Sequence, residues 1–287
     1  HRGAVVSLCF GYGGTVFASG STDGTVRIWD LGTGQCLHTL SGHSGSVMSA
    51  ALNDIHGQAA SCSLDQTVRI WDARSGQCLN VLHGHSDWVL AIGFHPTRNL
   101  LASGSLYHSI RLWDTDSKQC LRTLTGHTSW VLATSFSPEG EILASASGDG
   151  TVRLWDPQTG ACLRLLRGHE GGVSSVCFSR DGKVVASGGV DKTIRLWDRY
   201  SGECLRILEG HTADIRNLCY SPDGKILAST SGDETIRLWE WPSGECVKTL
   251  RGHTATTCSV CFAPLGNLLA SGSFDQTVRL WDTQTGD

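Results

Sequence analysis

Apolar and polar residues alternate over short segments along the whole chain, and glycine-containing turns separate these segments. Residues 142–147 have the sequence ILASAS and residues 151–156 have the sequence TVRLWD, with GDG between them. Short alternating or β-branched segments bounded by glycine and aspartate are typical of β-strands joined by tight turns. No segment keeps a helical spacing of apolar residues over three turns. The pattern therefore predicts an all-β, antiparallel protein.

The pattern returns every 42 residues. Each unit contains four strand segments, and in the fourth unit the outer two are 130–136 and 161–166. We divide the chain into the units 1–42, 43–84, 85–126, 127–168, 169–210, 211–252 and 253–287. The last unit is seven residues shorter than the others. We therefore expect it to lack its outer strand, and to have an open edge that could support self-association.

A glycine–histidine pair, an aspartate and a Trp-Asp pair stand at matching positions of the units, and this signature resembles the WD40-repeat β-propeller family. The resemblance spans 1–287 and implies one domain, a ring of seven four-stranded blades. It also implies a buried network in each blade, in which the tryptophan indole bonds to serine, serine to histidine, and histidine to aspartate. The sets are His1, Ser19, Asp23, Trp29; His43, Ser61, Asp65, Trp71; His127, Ser145, Asp149, Trp155; His169, Ser187, Asp191, Trp197; His211, Ser229, Asp233, Trp239; and His253, Ser271, Asp275, Trp281.

Blade three departs from this pattern. Tyr107, followed by His108, stands where the aspartate is expected, so His85 loses its carboxylate partner. One interpretation is sequence drift in a ring that the other six networks hold together. The other is that this turn has been recruited for binding.

Residues that differ between blades are the candidates for recognition, because the repeated ones form the framework. Two such positions lie on the face that carries the histidine and the aspartate: the residues after the histidine and the residue before the aspartate. Candidate binding residues are Leu64, Asp87, Trp88, Leu106, Tyr107, His108, Trp130, Asp214, Arg216 and Phe274. Aromatic and aliphatic groups exposed together are typical of interfaces. The alternative is that Trp88 and Trp130 fold inward and plug the channel.

The sequence contains no P-loop, HExxH, GxSxG or GxGxxG motif. A Ser-His-Asp set that recurs in six units, with a mid-strand serine, is structural rather than a hydrolytic triad. We predict a protein that is not an enzyme, has no cofactor or metal, and binds a protein or peptide partner. The alternative is a small-ligand or sensor site in the central channel, or a hydrolytic site at its mouth.

Charge and hydropathy add limits on the partners. The net charge of −4 argues weakly against nucleic acid as a partner, and no apolar segment approaches the length of a membrane span. Six of the twelve cysteines recur once per unit, too far apart for disulfides between equivalent positions. The single CxxC, Cys258 and Cys261, lacks the second ligand pair of a zinc site. We expect all twelve cysteines to be buried and reduced, and the protein to be cytoplasmic.

Overall fold

The computed structural model describes residues 1–11, 13–53 and 55–286. These residues form 27 β-strands in seven antiparallel sheets and contain no helix. Six sheets have four strands and the last has three. The predicted all-β fold of seven blades, with a short seventh blade, is confirmed.

The strands pair in the order in which they follow one another along the chain. Blade one contains β1 (Val5–Phe10), β2 (Val16–Ser21), β3 (Val26–Asp30) and β4 (Cys36–Leu40). Blade two contains β5 (Val47–Asn53), β6 (Gln58–Ser63), β7 (Val68–Asp72) and β8 (Cys78–Leu82). Blade three contains β9 (Val89–Phe94), β10 (Leu100–Ser105), β11 (Ile110–Asp114) and β12 (Cys120–Leu124). Blade four contains β13 (Val131–Phe136), β14 (Leu143–Ser147), β15 (Thr151–Trp155) and β16 (Cys162–Arg167).

The remaining blades repeat this arrangement. Blade five contains β17 (Val173–Phe178), β18 (Val184–Gly189), β19 (Ile194–Asp198) and β20 (Cys204–Leu208). Blade six contains β21 (Ile215–Tyr220), β22 (Ile226–Ser231), β23 (Ile236–Glu240) and β24 (Cys246–Leu250). Blade seven contains β25 (Thr257–Phe262), β26 (Leu268–Ser273) and β27 (Val278–Asp282).

The hydrophobic core lies between blades rather than within one sheet. One cluster joins Val152 and Leu154 of blade four to Val173 and Trp197 of blade five, and similar clusters fill the other interfaces. A four-stranded sheet with two apolar faces needs a neighbour on each face, and a ring supplies both. Blade seven packs against blade one through β25 and β26, which contact β1.

The glycine before each framework histidine permits close packing of arginine and tryptophan. Gly126 has φ +150°, and a Cβ there would lie 2.9 Å from Arg153 Nη1. Only glycine tolerates both this backbone conformation and this approach. Arg153 in turn stacks over the ring of Trp155, with its guanidinium carbon 5.9 Å from the ring centroid. The Gly-His pair is therefore a packing requirement of the blade.

The expectation that all twelve cysteines are buried is wrong. Cys36, Cys78, Cys120, Cys162, Cys204 and Cys246 are exposed. Each begins the outermost strand of its blade, where the sheet has no further strand to cover it. Of the remaining six cysteines, Cys62 is fully buried and the other five are half-buried. In the part of the chain that the structure describes, no helix is long and apolar enough to cross a membrane.

Candidate interaction surface

The buried network of blade four shows how the framework residues hold one another. Trp155 Nε1 donates a hydrogen bond to Ser145 Oγ at 2.8 Å, and Ser145 Oγ lies 2.7 Å from His127 Nε2. His127 Nδ1 lies 2.8 Å from Asp149 Oδ2. Because an ionised carboxylate only accepts, Nδ1 carries the proton and Nε2 accepts from the serine hydroxyl. Each polar group is satisfied by the next one, which makes its burial tolerable.

The same contacts occur in five further blades. The histidine-to-aspartate distances range from 2.7 Å to 3.0 Å for His1–Asp23, His43–Asp65, His169–Asp191, His211–Asp233 and His253–Asp275. Each blade's tryptophan donates to its serine, and the serine contacts the second histidine nitrogen. These serines are fully buried, so a substrate has no path to them. The arrangement stabilises the blade and gives no nucleophile access to solvent.

The network fixes the charge of its members. Burial alone would raise the pKa of Asp149, but hydrogen bonds from Thr151, from the Thr128 amide and from His127 outweigh it and lower the pKa to about 2. Burial lowers the pKa of His127 below its usual value, and Asp149 offsets part of that effect. At neutral pH the pair is therefore a neutral imidazole that donates to a carboxylate anion.

Blade three keeps only part of the network. Trp113 donates to Ser103 Oγ at 2.8 Å, and Ser103 Oγ lies 2.6 Å from His85 Nε2. Tyr107 points to solvent with 68% of its surface exposed and stacks on His108. Burial and the nearby Arg111 lower the pKa of His85 to about 4. His85 is thus a neutral, buried imidazole above which an aromatic pair stands in solvent.

The two variable positions of each blade are joined by one backbone hydrogen bond. In blade three the Leu106 amide donates to the Trp88 carbonyl at 2.9 Å, and in blade four the Gly148 amide donates to the Trp130 carbonyl at 2.8 Å. The equivalent bonds are Thr22–Ala4, Leu64–Ser46, Val190–Gly172, Gly232–Asp214 and Phe274–Thr256. Every blade therefore presents a rim pair of adjacent side chains.

Rim pairs of neighbouring blades also touch. Ser46 Oγ of blade two donates to the Thr22 carbonyl of blade one at 3.1 Å. A Cβ on Gly172 of blade five would lie 3.3 Å from Gly148 Cα of blade four. Because the blades are equivalent, Trp88 stands next to the turn of Leu64, and Trp130 stands next to the turn of Leu106. We call Leu64, Trp88, Leu106, Tyr107 and Trp130 the rim cluster.

The rim cluster faces solvent. Trp88 is 45% exposed and Trp130 is 52% exposed, whereas Leu64 and Leu106 are half-buried. Neither tryptophan is among the described residues that line the channel cavity, and the alternative of a channel plug stays a prediction. Asp87 lies at the edge of the cluster, where its Oδ1 accepts from the Trp88 amide at 2.7 Å.

Of the five predicted site residues outside the cluster, Asp87 and His108 are next to it in sequence and the other three belong to blades six and seven. Asp214 and Arg216 belong to blade six and form an ion pair of 2.8 Å with each other. Phe274 belongs to blade seven and is 48% exposed. The structure therefore places these residues across the channel mouth from the two tryptophans.

The channel is lined by both apolar and polar side chains. A cavity of about 300 Å³ is lined by the innermost strands, including Met48, Leu90 and Leu132 on one side and Ser174 and Arg216 on the other. The charge of Arg216 is already paired with Asp214. Among the described residues no group of three His, Cys, Asp or Glu side chains is placed to hold a metal ion.

A second cavity at the opposite mouth was missed by sequence reasoning. It has a volume of about 670 Å³, and its lining includes Phe94, Phe136, Phe178 and Tyr220. These aromatic residues end the innermost strands of blades three to six. Their recurrence at the unit spacing was a visible signal, but it indicates core packing equally well.

Comparison with known proteins gives the same architecture. A family model described as "WD domain, G-beta repeat" matches residues 1–30, 34–72, 76–114, 118–156, 160–198, 202–240 and 244–282. Cell division control protein 4 of Saccharomyces cerevisiae is 47% identical over 47 residues, which is 16% of this chain and 6% of that protein. WD repeat-containing protein 18 of Danio rerio is 46% identical over 52 residues, which is 18% of this chain and 12% of that protein.

A third relative is the Dynein assembly factor with WD repeat domains 1 of Danio rerio, 40% identical over 53 residues, which is 18% of this chain and 13% of that protein. The matched stretches cover little more than one repeat and a small part of each relative's length. The family model, by contrast, matches all seven repeats. The chain belongs to the WD40 repeat family.

Proposed function

We propose that this propeller is a non-catalytic platform that binds a protein or peptide partner through the rim cluster. WD40 propellers are generally protein-interaction scaffolds. The observation that carries the proposal is the pair of exposed tryptophans on adjacent blades, together with the half-buried Leu64 and Leu106 of the neighbouring turns. Exposed indole rings beside aliphatic side chains are typical of the centres of protein interfaces.

The chemistry of the framework supports binding rather than catalysis. The Ser-His-Asp sets lie inside the blades, and their serines have no exposed surface. The pKa of each framework aspartate is lowered, and the neutral histidine is occupied on both ring nitrogens in six blades. A catalytic base needs a free ring nitrogen within reach of substrate.

A small-ligand site in the channel is the competing hypothesis, and the geometry supports it less. The one charged side chain of the channel cavity, Arg216, is already paired. Of the polar side chains that line the cavity, Ser7, Ser175 and Ser259 already accept hydrogen bonds from backbone amides of neighbouring blades. Small-molecule sites usually combine an apolar cavity with several converging polar groups. The rim cluster, in contrast, exposes a broad aromatic surface that suits a peptide.

The proposal can be tested with a displayed library of random peptides. Peptides selected on the wild-type protein should bind the Trp88→Ala/Trp130→Ala double variant much more weakly than they bind the wild type. Tyr200→Ala is the matched control, because Tyr200 is 58% exposed but follows the outer end of β19, at the opposite end of the strand from the rim. Selected peptides that bind the double variant as tightly as the wild type would refute the proposal.

A further inference from the structure

Each framework aspartate is held by four donors that surround its carboxylate. In blade four, Asp149 Oδ2 accepts from His127 Nδ1 at 2.8 Å and from the Thr128 amide at 3.0 Å. Oδ1 accepts from the Thr151 amide at 2.9 Å and from Thr151 Oγ1 at 2.6 Å. Blade two holds Asp65 with the same four donors. We call this set of donors the carboxylate cradle.

Blade three retains the donors of the cradle but not its carboxylate. The equivalent groups are His85 Nδ1, the Ser86 amide, the Ser109 amide and Ser109 Oγ. None of these four groups has a hydrogen-bond acceptor among the described residues. His85 is 8% exposed as a whole residue, and its Nδ1 faces the turn without a partner among the described residues. Tyr107 cannot satisfy these donors, because it has no acceptor on a short side chain and its ring points to solvent.

The backbone of the blade-three turn still has the shape that the cradle needs. The Ser105 amide donates to the Ser109 carbonyl at 3.0 Å, as the Ser63 amide does to Thr67 in blade two. His108 has φ +59°, close to the +70° of Gln66 at the same position. The turn of blade three therefore keeps this bond and this φ, although the bond from the Gln66 amide to the Ser63 carbonyl has no counterpart in blade three among the described residues.

Ser86, Tyr107 and His108 are exposed, so these donors face solvent, and a carboxylate that fills the site replaces their bonds to water with charge-assisted bonds. The other blades show that these donors favour an ionised carboxylate. In blade two, burial would raise the pKa of Asp65, but the hydrogen bonds from Thr67 and His43, together with the electrostatic attraction of His43, outweigh it and lower the pKa to about 2.

We infer that the cradle of blade three binds a carboxylate group of the partner, an aspartate or glutamate side chain, in the place where the other blades hold their own aspartate. The inference rests on the proposed function and specifies it. Trp88 and Leu106 flank the cradle, so the partner segment carries apolar residues next to its acidic residue. Asp87 stands at the entrance, but its carboxylate is engaged by the Trp88 amide and lies outside the cradle.

The test is an NMR titration of the ¹⁵N-labelled protein with four probes: acetate, acetamide, and the capped tripeptides Leu-Asp-Leu and Leu-Asn-Leu. Acetate and Leu-Asp-Leu should shift the amide signals of Ser86 and Ser109 and the imidazole signal of His85. Acetamide and Leu-Asn-Leu should leave them unchanged. Because charge-assisted bonds are about twice as strong as neutral ones, Leu-Asp-Leu should bind at least about tenfold tighter than Leu-Asn-Leu.

Two variants at position 107 distinguish binding by the carboxylate cradle from binding by the surface around it. Tyr107→Asp supplies an internal carboxylate and should abolish binding of both acetate and Leu-Asp-Leu, while it raises the melting temperature. Tyr107→Ala leaves the cradle open and should keep both. Absence of shifts in the wild type, or their persistence in Tyr107→Asp, would overturn the inference.

Acetate binding with no gain in affinity for Leu-Asp-Leu would show a site for free anions only, and would also overturn the inference. A failure of this inference can be distinguished from a failure of the proposed function. The Trp88→Ala/Trp130→Ala variant should still bind acetate, because the cradle does not include the tryptophans. Failure of peptide selection on the rim cluster together with intact acetate binding would therefore count against the proposed function alone.

Discussion

The Leu8 amide donates a hydrogen bond to Ser259 Oγ at 2.9 Å and so joins the innermost strands of blades one and seven across 251 residues of sequence. The same type of bond joins Leu218 to Ser175 at 3.0 Å and Ala50 to Ser7 at 2.9 Å. The ring thus closes with the type of contact that it uses between consecutive blades.

Replacing Ser259 with alanine should weaken ring closure. The Leu8 amide would be buried without an acceptor, and we expect the free energy of unfolding to fall by about 1–2 kcal/mol. Hydrogen exchange should show faster exchange of the Leu8 amide and unchanged exchange of the Leu218 amide. Ser175→Ala, which breaks the matching bond between blades five and six, is the control and should show the reverse. Equal protection of Leu8 in both variants would contradict the role of Ser259.

The two classes of tryptophan should respond differently to substitution. Trp88→Ala and Trp130→Ala each remove an exposed ring, and we expect changes in unfolding free energy within about 0.5 kcal/mol. Trp155→Phe removes a fully buried indole and its bond to Ser145, and should cost about 2–4 kcal/mol. Urea denaturation of the three variants measures the difference. Comparable destabilisation by Trp88→Ala and Trp155→Phe would mean that Trp88 is part of the core.

Thiol labelling should divide the cysteines into two groups. The six exposed cysteines at the start of the outer strands should react with a disulfide reagent within the mixing time of a native-state assay. Cys62, Cys177 and Cys258 should react slowly, because burial raises the pKa of each thiol, to about 12 for Cys177 and Cys258, and so suppresses the thiolate. Mass spectrometry of partly labelled protein identifies the modified positions. Rapid labelling of Cys62 in the native protein would contradict the structure.

Acid should destabilise the protein in two steps. Burial lowers the pKa of the framework histidines below 6.5, so the unfolded chain binds more protons and stability falls as the pH drops below about 6.5. The pKa values of Asp149 and Asp233 are lowered to about 2 from 3.8, so these aspartates add a further loss of stability as the pH falls from about 4 towards 2. Denaturation at pH 7, 5.5, 4 and 3 measures both steps.

Asp149→Asn is the variant that isolates the carboxylate step, because an amide oxygen still accepts from His127 but does not titrate. Its stability should depend less on pH between 4 and 2 than that of the wild type. Greater stability at pH 5 than at pH 7 in the wild-type protein would show that the histidine contribution has the opposite sign.

Blade seven should gain stability from a fourth strand. Leu280 of β27 is 44% exposed, whereas its equivalent Leu154 is 1% exposed. Beside it lies a cavity of about 260 Å³ lined by Val5, Phe17 and Val278. In blade five, Leu208 pairs with Ile194, the residue equivalent to Val278. We expect a seven-residue extension that copies Cys204–Gly210 to pair with β27 and raise the melting temperature.

The matched control is the same extension with serine at the position that copies Leu208, because serine leaves the cavity unfilled. Equal melting temperatures of the two extended proteins would show that the groove does not select for leucine. Sedimentation of the unextended chain tests the related proposal that the open edge of β27 pairs with a second copy. A concentration-independent monomer would count against that proposal.

The repeat made most of the fold predictable from sequence. Trp155 and its hydrogen-bond partners recur every 42 residues. Because these buried polar groups satisfy one another, they occur together at fixed positions of the repeat, and this pattern is visible in the sequence. The exposure of Cys36 was not predictable, since a short apolar strand looks alike at the edge and in the middle of a sheet. The bond between Leu106 and Trp88 was also hidden, because it depends on the register of β9 and β10, which shifts at Ser105.

The rim pairs are tied to the blade by main-chain atoms, so exchanging their side chains leaves the framework bonds in place. Gene duplication of a blade therefore copies a stable frame without dictating what its surface recognises. New specificity can arise through single codon changes at two positions per blade, with little cost to folding. A protein of this design can acquire new targets faster than one whose binding residues also hold its core.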